Sequence, residues 1–434
     1  MNFFKLKQLK PSDIILGIKG ISKSAKQQFS RMKGTNILTF IYYGLLFDIT
    51  ANLWRPFAAL FLERLGGAEF EISLLSALPG AVAAIVLLPG AIIFKRFANK
   101  KRATAAFILA SRFLLLLIAF IPMLPPEIRP LLFVILVALM NCPDSLSQTS
   151  LQSFLGSVFD GNKRGEAIAL RTKFGQAIIP IISLLTGIII TYAPQTDAQR
   201  MIFYQVFFVC AFIVGLFEVR MFSKLKVPIT NEAIKVTSFS LSFAAKVIKD
   251  KRFRTFLIPA IIFMFTWQAG WPLTAIHQVK TLNATELWFA IFVLASGTSA
   301  FLSAGFWQKI LRKKGNNAML IISCIFLTFN MILTPLASTV QLFVLVSIFS
   351  GFSAVGINTA LLNGVLGATP DEDRMLYIAF YNTAANITLF IAPFFAHALL
   401  TFLGNSNALF AVGGLRAITT FILWICFRKM TKEE

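Results

Sequence analysis

The chain has 434 residues, 57% of them hydrophobic and only 14% charged, with 46 Phe and a mean hydropathy of +0.74. Soluble domains carry about a quarter charged residues, so a soluble chain could not cover this much apolar surface, whereas a chain solvated by lipid can. The formal charge of +22 would fit nucleic acid, but the basic residues sit in short runs between apolar segments, such as KRFANKKR (95–102) and KILRKK (309–314). That distribution excludes a continuous basic face and fits loops beside membrane spans that meet anionic headgroups.

Residues 1–35 form a basic tail that mixes Phe, Ile and Leu with Lys. It reads either as a helix lying on the membrane surface or as a flexible tail. No cleavable signal peptide is read, because the first apolar run is too long for one. Twelve runs then reach the length of about 20 residues that a spanning helix needs. They are 36–62, 72–94, 103–124, 130–157, 166–193, 201–222, 255–277, 286–308, 317–336, 339–367, 375–402 and 406–428. Turn signals separate them: PP at 125–126, DGNKRG at 160–165, APQT at 193–196 and TPDED at 369–373. The fold class is therefore an all-α polytopic membrane protein.

The spans divide six and six. Residues 36–222 are the expected N-terminal six-helix bundle and 255–428 the C-terminal one. The connection 223–254 is the longest and most basic, and 429–434 is a short C-terminal tail. Within the connection, SFAAKVIKDKRF reads as an amphipathic surface helix or as a solvated linker. With the N-terminus inside, the inner connections and tails hold 31 of the 41 Lys and Arg, and the other side holds Arg64, Arg129, Arg200 and Lys280. The excess of basic residues places both termini in the cytoplasm.

The halves resemble each other. AIIFKRFANKKR (91–102) parallels GFWQKILRKKGN (305–316), and QSFLGSVFDGNKRGEAIAL (152–170) parallels NGVLGATPDEDRMLYIAF (363–380). The second pair shares an amide, a Leu-Gly, an Asp and an Arg that opens the next span. Candidate gating positions on these loops are Lys95, Arg96, Lys309, Asp160, Arg164, Asp371 and Arg374.

Charges deep in a span face a protein interior or a wet cavity, because the bilayer centre costs them several kcal/mol. Span one carries Asp48, Asn52 and Arg55, spaced four and three apart and so on one side of a helix. Asp48 lies about 18 Å into the span. Span four carries Asn141, Asp144 or Ser145, Gln148 and Gln152 as a second stripe, beside a bend expected at Pro143. Cavity lining and helix packing both explain such stripes. Possible charge partners are Arg112, Arg171, Lys173 and Arg416: Arg112 beside Asp144 or Asp48, Arg171 and Lys173 reaching to the inner interface. The second half offers Trp267, Gln268 and Trp271 in span seven, Asn358 and Asn363 in span ten, and Tyr381, Asn382 and Asn386 in span eleven. The four cysteines read as small core residues.

Twelve spans, the repeat, the central basic connection and the paired basic loops resemble the major facilitator superfamily (MFS) from about Asn36 to Phe427. In that family the loop after span two carries a Gly-x-x-x-Asp-Arg-x-Gly-Arg-Lys-like motif whose acid helps to lock the inner gate. Here the positions read Ala91, Lys95, Arg96, Ala98, Asn99, Lys100 and Lys101; the acid is Lys95 and the glycines are Ala. The resemblance implies two pseudo-symmetric six-helix bundles with spans one, four, seven and ten around a central cavity. Carried over by position, its wall holds Asp48, Asn52, Arg55, Asp144, Gln148, Gln152, Gln268, Trp271, Asn358 and Asn363. Gly175 and Pro180 echo a glycine-rich stretch of family exporters and lean slightly towards efflux; a structural kink at Pro180 is the other reading.

His277 and His397 are the two histidines, and no catalytic triad, metal cluster or nucleotide-binding loop is read, so no enzyme, cofactor or metal is expected. The expected function is that of a secondary carrier, proton-coupled or facilitative, that works by alternating access as two six-helix bundles rock, with Asp48 and Asp144 as candidate proton carriers. Arg55 is the alternative ligand for an anionic substrate group. A charged first half and an aromatic-amide second half suit a small or amphipathic solute. The alternatives are a lipid flippase of the same fold and a non-transporting membrane sensor. Expected surroundings are a bacterial inner membrane with anionic headgroups at the basic loops, no nucleic acid, and a monomer.

Overall fold

The computed structural model describes residues 36–95, 97, 99–159, 161–226, 247, 249–370 and 374–433; the side chains of 87–95, 152–157, 161–165, 374–376, 379 and 427–433 are outside that description. The N-terminal tail and most of the 223–254 connection therefore lie outside it, with the surface helices expected there. So do the side chains of Lys95, Arg96, Gln152, Asp160, Arg164, Asp371 and Arg374.

The described residues are helical, without a strand among them. The elements are α1 (Asn36–Asn52), α2 (Ala58–Arg64), α3 (Glu69–Lys95), α4 (Lys100–Ala119), α5 (Arg129–Val158), α6 (Gly161–Tyr192), α7 (Asp197–Lys224), α8 (Lys251–Ile276), α9 (Glu286–Leu333), α10 (Val340–Ala368), α11 (Arg374–Leu403) and α12 (Asn405–Glu433). In lipid, a backbone must satisfy its own hydrogen bonds, and long helices do so. Side-chain caps start several of them. Asn99 accepts from the Arg102 amide, Thr196 from that of Gln199, Asp250 from that of Phe253 and Thr339 from that of Leu342. The Asp250 cap explains why α8 begins before the expected 255.

Eleven helical segments among the described residues are long and apolar enough to cross a membrane. One of them, α9, has 48 residues and a non-helical break at Gly315 (φ 79°). At 1.5 Å per residue, it would far exceed the roughly 30 Å hydrocarbon core if straight. Divided at Gly315, it supplies the expected spans eight and nine, which accounts for the twelfth run. Span one is α1 and α2 together.

In the first half, α1 packs on α6 and α7, α4 on α5 and α7, and α3 on α5. In the second, α8 packs on α11 and α12, and α9 on α10 and α12. Between halves, α3 packs on α11 and α8, and α6 on α9. Large apolar side chains such as Phe217, Ile258, Phe329 and Phe402 are exposed on the outside, as the surface of an integral membrane protein requires. Asn36 and Lys226 exchange hydrogen bonds of 2.9 and 3.0 Å where α1 starts and α7 ends; this is the proximal end of the bundle. The distal end is where α2 stops and α9 starts.

Candidate functional site

Span one is not one regular helix. It leaves α-geometry after Asn52, turns at Leu53–Trp54 and runs through a short 3-10 turn at Arg55–Phe57. Pro56 causes this: it has no N–H, and its ring disfavours α-geometry at the preceding residue. Arg55 is therefore not in simple register with Asp48 and Asn52. The two charges, seven residues apart, reach different helices.

Asp48, buried, accepts from Arg171 of α6 at 3.0 Å. Arg171 thus turns inward instead of reaching for the interface, while Lys173 is exposed. Arg55 contacts Asp144 of α5 at 3.2 Å. Asp144 also accepts from Ser111 at 2.6 Å and from Arg112 at 3.3 Å, both on α4. Arg112 in turn grips Glu218 of α7 with two bonds, 2.9 and 3.2 Å. Four charges are thus linked as Arg55–Asp144–Arg112–Glu218, cation and anion alternating. The Phe47 ring lies between the two groups, 5.5 Å from the Arg112 guanidinium carbon and 5.9 Å from that of Arg171.

Glycines make room for these side chains. A Cβ on Gly44 would meet Arg171, one on Gly175 would meet Asp48, and one on Gly215 would lie 2.6 Å from Arg112 Cγ. Gly175 thus has a place in the charge network besides any role it shares with family exporters. In the second half, a Cβ on Gly270 would lie 2.6 Å from Arg416 Nη2. Arg416 is buried and pairs with no carboxylate among the described residues. It donates to the backbone carbonyls of Leu327 and Thr266, each at 3.0 Å, and of Trp267 at 3.3 Å. Its Nε is buried without a partner.

A cavity of about 540 Å³ lies between the halves. The first half contributes Trp54, Arg55 and Asn141, and the second Gln278, Phe289, Phe292, Asn330, Phe343 and Ser347, among others. Among the described residues, four polar ties join the halves at the distal end. Arg64 contacts Glu286 at 2.8 Å, Tyr204 donates to Glu286 at 3.1 Å, Lys280 contacts Glu63 at 3.3 Å, and the Leu287 amide donates to Thr191 at 2.9 Å. Glu286 is almost wholly enclosed, its side chain 1% exposed.

Of the ten wall residues expected from position, Arg55 lines this cavity. Asp48 and Asp144 are committed to the ion pairs. Asn52 donates to the Asp48 carbonyl at 2.8 Å. Gln268 is buried and donates to the Ala385 carbonyl at 3.3 Å. Gln148 and Asn363 are half-buried, Asn358 is exposed, and Trp271 is exposed beside Trp267. Lys309 is exposed on α9. Sequence reasoning missed Glu218 and Glu286. Glu218 stands as a carboxylate inside the apolar run FIVGLFEVRMF, but two residues before Arg220 near the span end, where it resembles an interfacial acid. Glu286 sits at a span boundary and looks like an ordinary first-turn acid.

A search of curated proteins finds no match. Among solved structures, a mutant of the nucleoside transporter NupG superposes with a TM-score of 0.70 at 13% identity, covering 91% of this chain and 100% of that one. A POT family transporter in complex with a thioalcohol-conjugated peptide gives 0.67 at 14%, covering 91% and 96%. A bacterial homolog of the human lysosomal transporter Spinster, inward-facing and unoccupied, gives 0.65 at 10%, covering 92% and 98%. At these identities the likeness is one of fold. The family profile of the Major Facilitator Superfamily matches residues 39–367 and 271–434, and the chain belongs to that superfamily.

Proposed function

We propose that this protein is a proton-coupled secondary transporter of a small or amphipathic organic solute, working by alternating access. The reading is carried by a cavity between the halves together with polar ties that join the halves at the distal end. Rocking of residues 36–222 against 255–428 would break those ties and expose the cavity distally. With both termini cytoplasmic in a bacterial inner membrane, the distal end is the outer one. Transport is read as monomeric, with anionic headgroups at the inner basic loops.

Asp48 and Asp144 are the proton sites of this reading. Each sits in a span, each has a guanidinium partner, and a change in water access between states alters how tightly a carboxylate holds its proton. The Gly175–Pro180 stretch leans the direction towards efflux. The test is flux of candidate solutes in proteoliposomes, with and without an imposed pH gradient. The gradient should accelerate flux in the natural protein, and Asp48→Asn or Asp144→Asn should lose that acceleration while retaining solute exchange. Full acceleration in both variants would sink the proton assignment; no flux of any solute would sink the carrier itself.

A further inference from the structure

Among the described residues, Arg55 is the charged one on the wall of the cavity between the halves. That side chain is 46% exposed, whereas Asp144 is 10% exposed. The pairing is unequal in a second way. Asp144 keeps Arg112 and Ser111 if Arg55 moves off it, while the polar contact described for Arg55 is Asp144 alone. A guanidinium offers five N–H donors in a fork suited to carboxylates. An incoming anion can take the free donors of Arg55 without stranding a buried carboxylate.

The interior charge count points the same way. The inward charges of the membrane-spanning helices are Arg55, Arg112, Arg171 and Arg416 against Asp48, Asp144 and Glu218. Among the described residues one cation is in excess, and the one without a carboxylate is Arg416. It lies close behind the cavity: its carbonyl partner Leu327 is one helical turn from the wall residue Asn330, and Gly270 is one turn from the wall residue Thr274. A buried charge without a counter-charge is costly, so a site with one excess cation favours a ligand that brings one negative charge. The remaining wall supplies apolar rings, Phe289 and Phe292 with centroids 6.0 Å apart and Phe292 and Phe343 at 4.7 Å.

We propose that this cavity takes a small organic monoanion, with a carboxylate-class head on Arg55 and a ring-sized apolar body against Phe289, Phe292 and Phe343. This substrate class rests on the carrier reading above, and the site can be tested apart from transport. The probes are phenylacetate, its neutral counterpart phenylacetamide and its cationic counterpart phenethylamine. Each is titrated into the purified full chain by calorimetry, with the thermal midpoint followed in parallel. Phenylacetate should bind and raise the midpoint by a few degrees at saturation; the other two should bind about tenfold to a hundredfold more weakly. Arg55→Gln should lose the preference and Arg55→Lys should keep part of it. The comparison of three probes on the natural chain stands even if a variant fails to fold. Equal or tighter binding of the amide or amine, no binding of any probe, or undiminished phenylacetate binding in folded Arg55→Gln would each overturn the proposal. Phenylacetate-selective binding without flux in liposomes would support the site and remove the carrier reading. Flux of neutral solutes with no anion preference would do the reverse.

Discussion

The two halves bury arginine in different ways. In the first half, Arg112 is clamped between Glu218 and Asp144, and Arg171 faces Asp48. In the second, Arg416 rests on three backbone carbonyls, with no acid beside it among the described residues. A guanidinium can be kept in a bundle either by charge or by dipoles. The first arrangement is costly to break at one partner, since the survivor is left buried and unmatched. The second is cheaper to lose, because helical carbonyls keep their own helical donors when the guanidinium goes.

Glu218→Gln is therefore the largest expected effect. It removes the bidentate partner of Arg112 and should cost about 3–5 kcal/mol, read as a lowered thermal midpoint in detergent. Replacing Arg112 by Met and Glu218 by Leu together should cost less than Glu218→Gln alone. Gly215→Ala comes next, at about 1–3 kcal/mol, because the new methyl meets the Arg112 stem near its root and not a freely moving tip. Arg416→Met should cost about 1 kcal/mol or less. A penalty for Arg416→Met equal to that of Glu218→Gln would erase the contrast between the halves. The smallest effect belongs to the distal rim: Lys280→Gln breaks a partly exposed pair with Glu63 and should cost under about 1 kcal/mol, shrinking further in high salt.

Much of the fold was legible because lipid sets a length rule. Runs of about 20 apolar residues mark spans whatever packs beside them, and even the break in α9 falls in the basic stretch 309–314 and the glycine that follows it. The charges were legible as buried polar groups, but their partners were not. Helical spacing put Arg55 on the face of Asp48, and Pro56 took it off that register. Arg171 looked free to reach the interface; Gly44 and Gly175 leave the space that lets it meet Asp48. Glu218 sits two residues before Arg220 near a span end and so resembles interfacial punctuation. The wall of the cavity was the least legible part, since it depends on how two separately packed halves lean on each other, and no periodicity within one helix encodes that.

The break at Gly315 has a mechanical consequence. Its positive φ reverses the chain with no loop on either side, so the two legs of α9 form a stiff hairpin. Phe289, Phe292 and Ser296 stand on one leg and Asn330 on the other, and all four line the cavity. They ride on a single lever. If the halves rock as proposed, the hairpin carries this part of the wall as one plate, and the distance of its rings and amides from Arg55 changes while their arrangement does not.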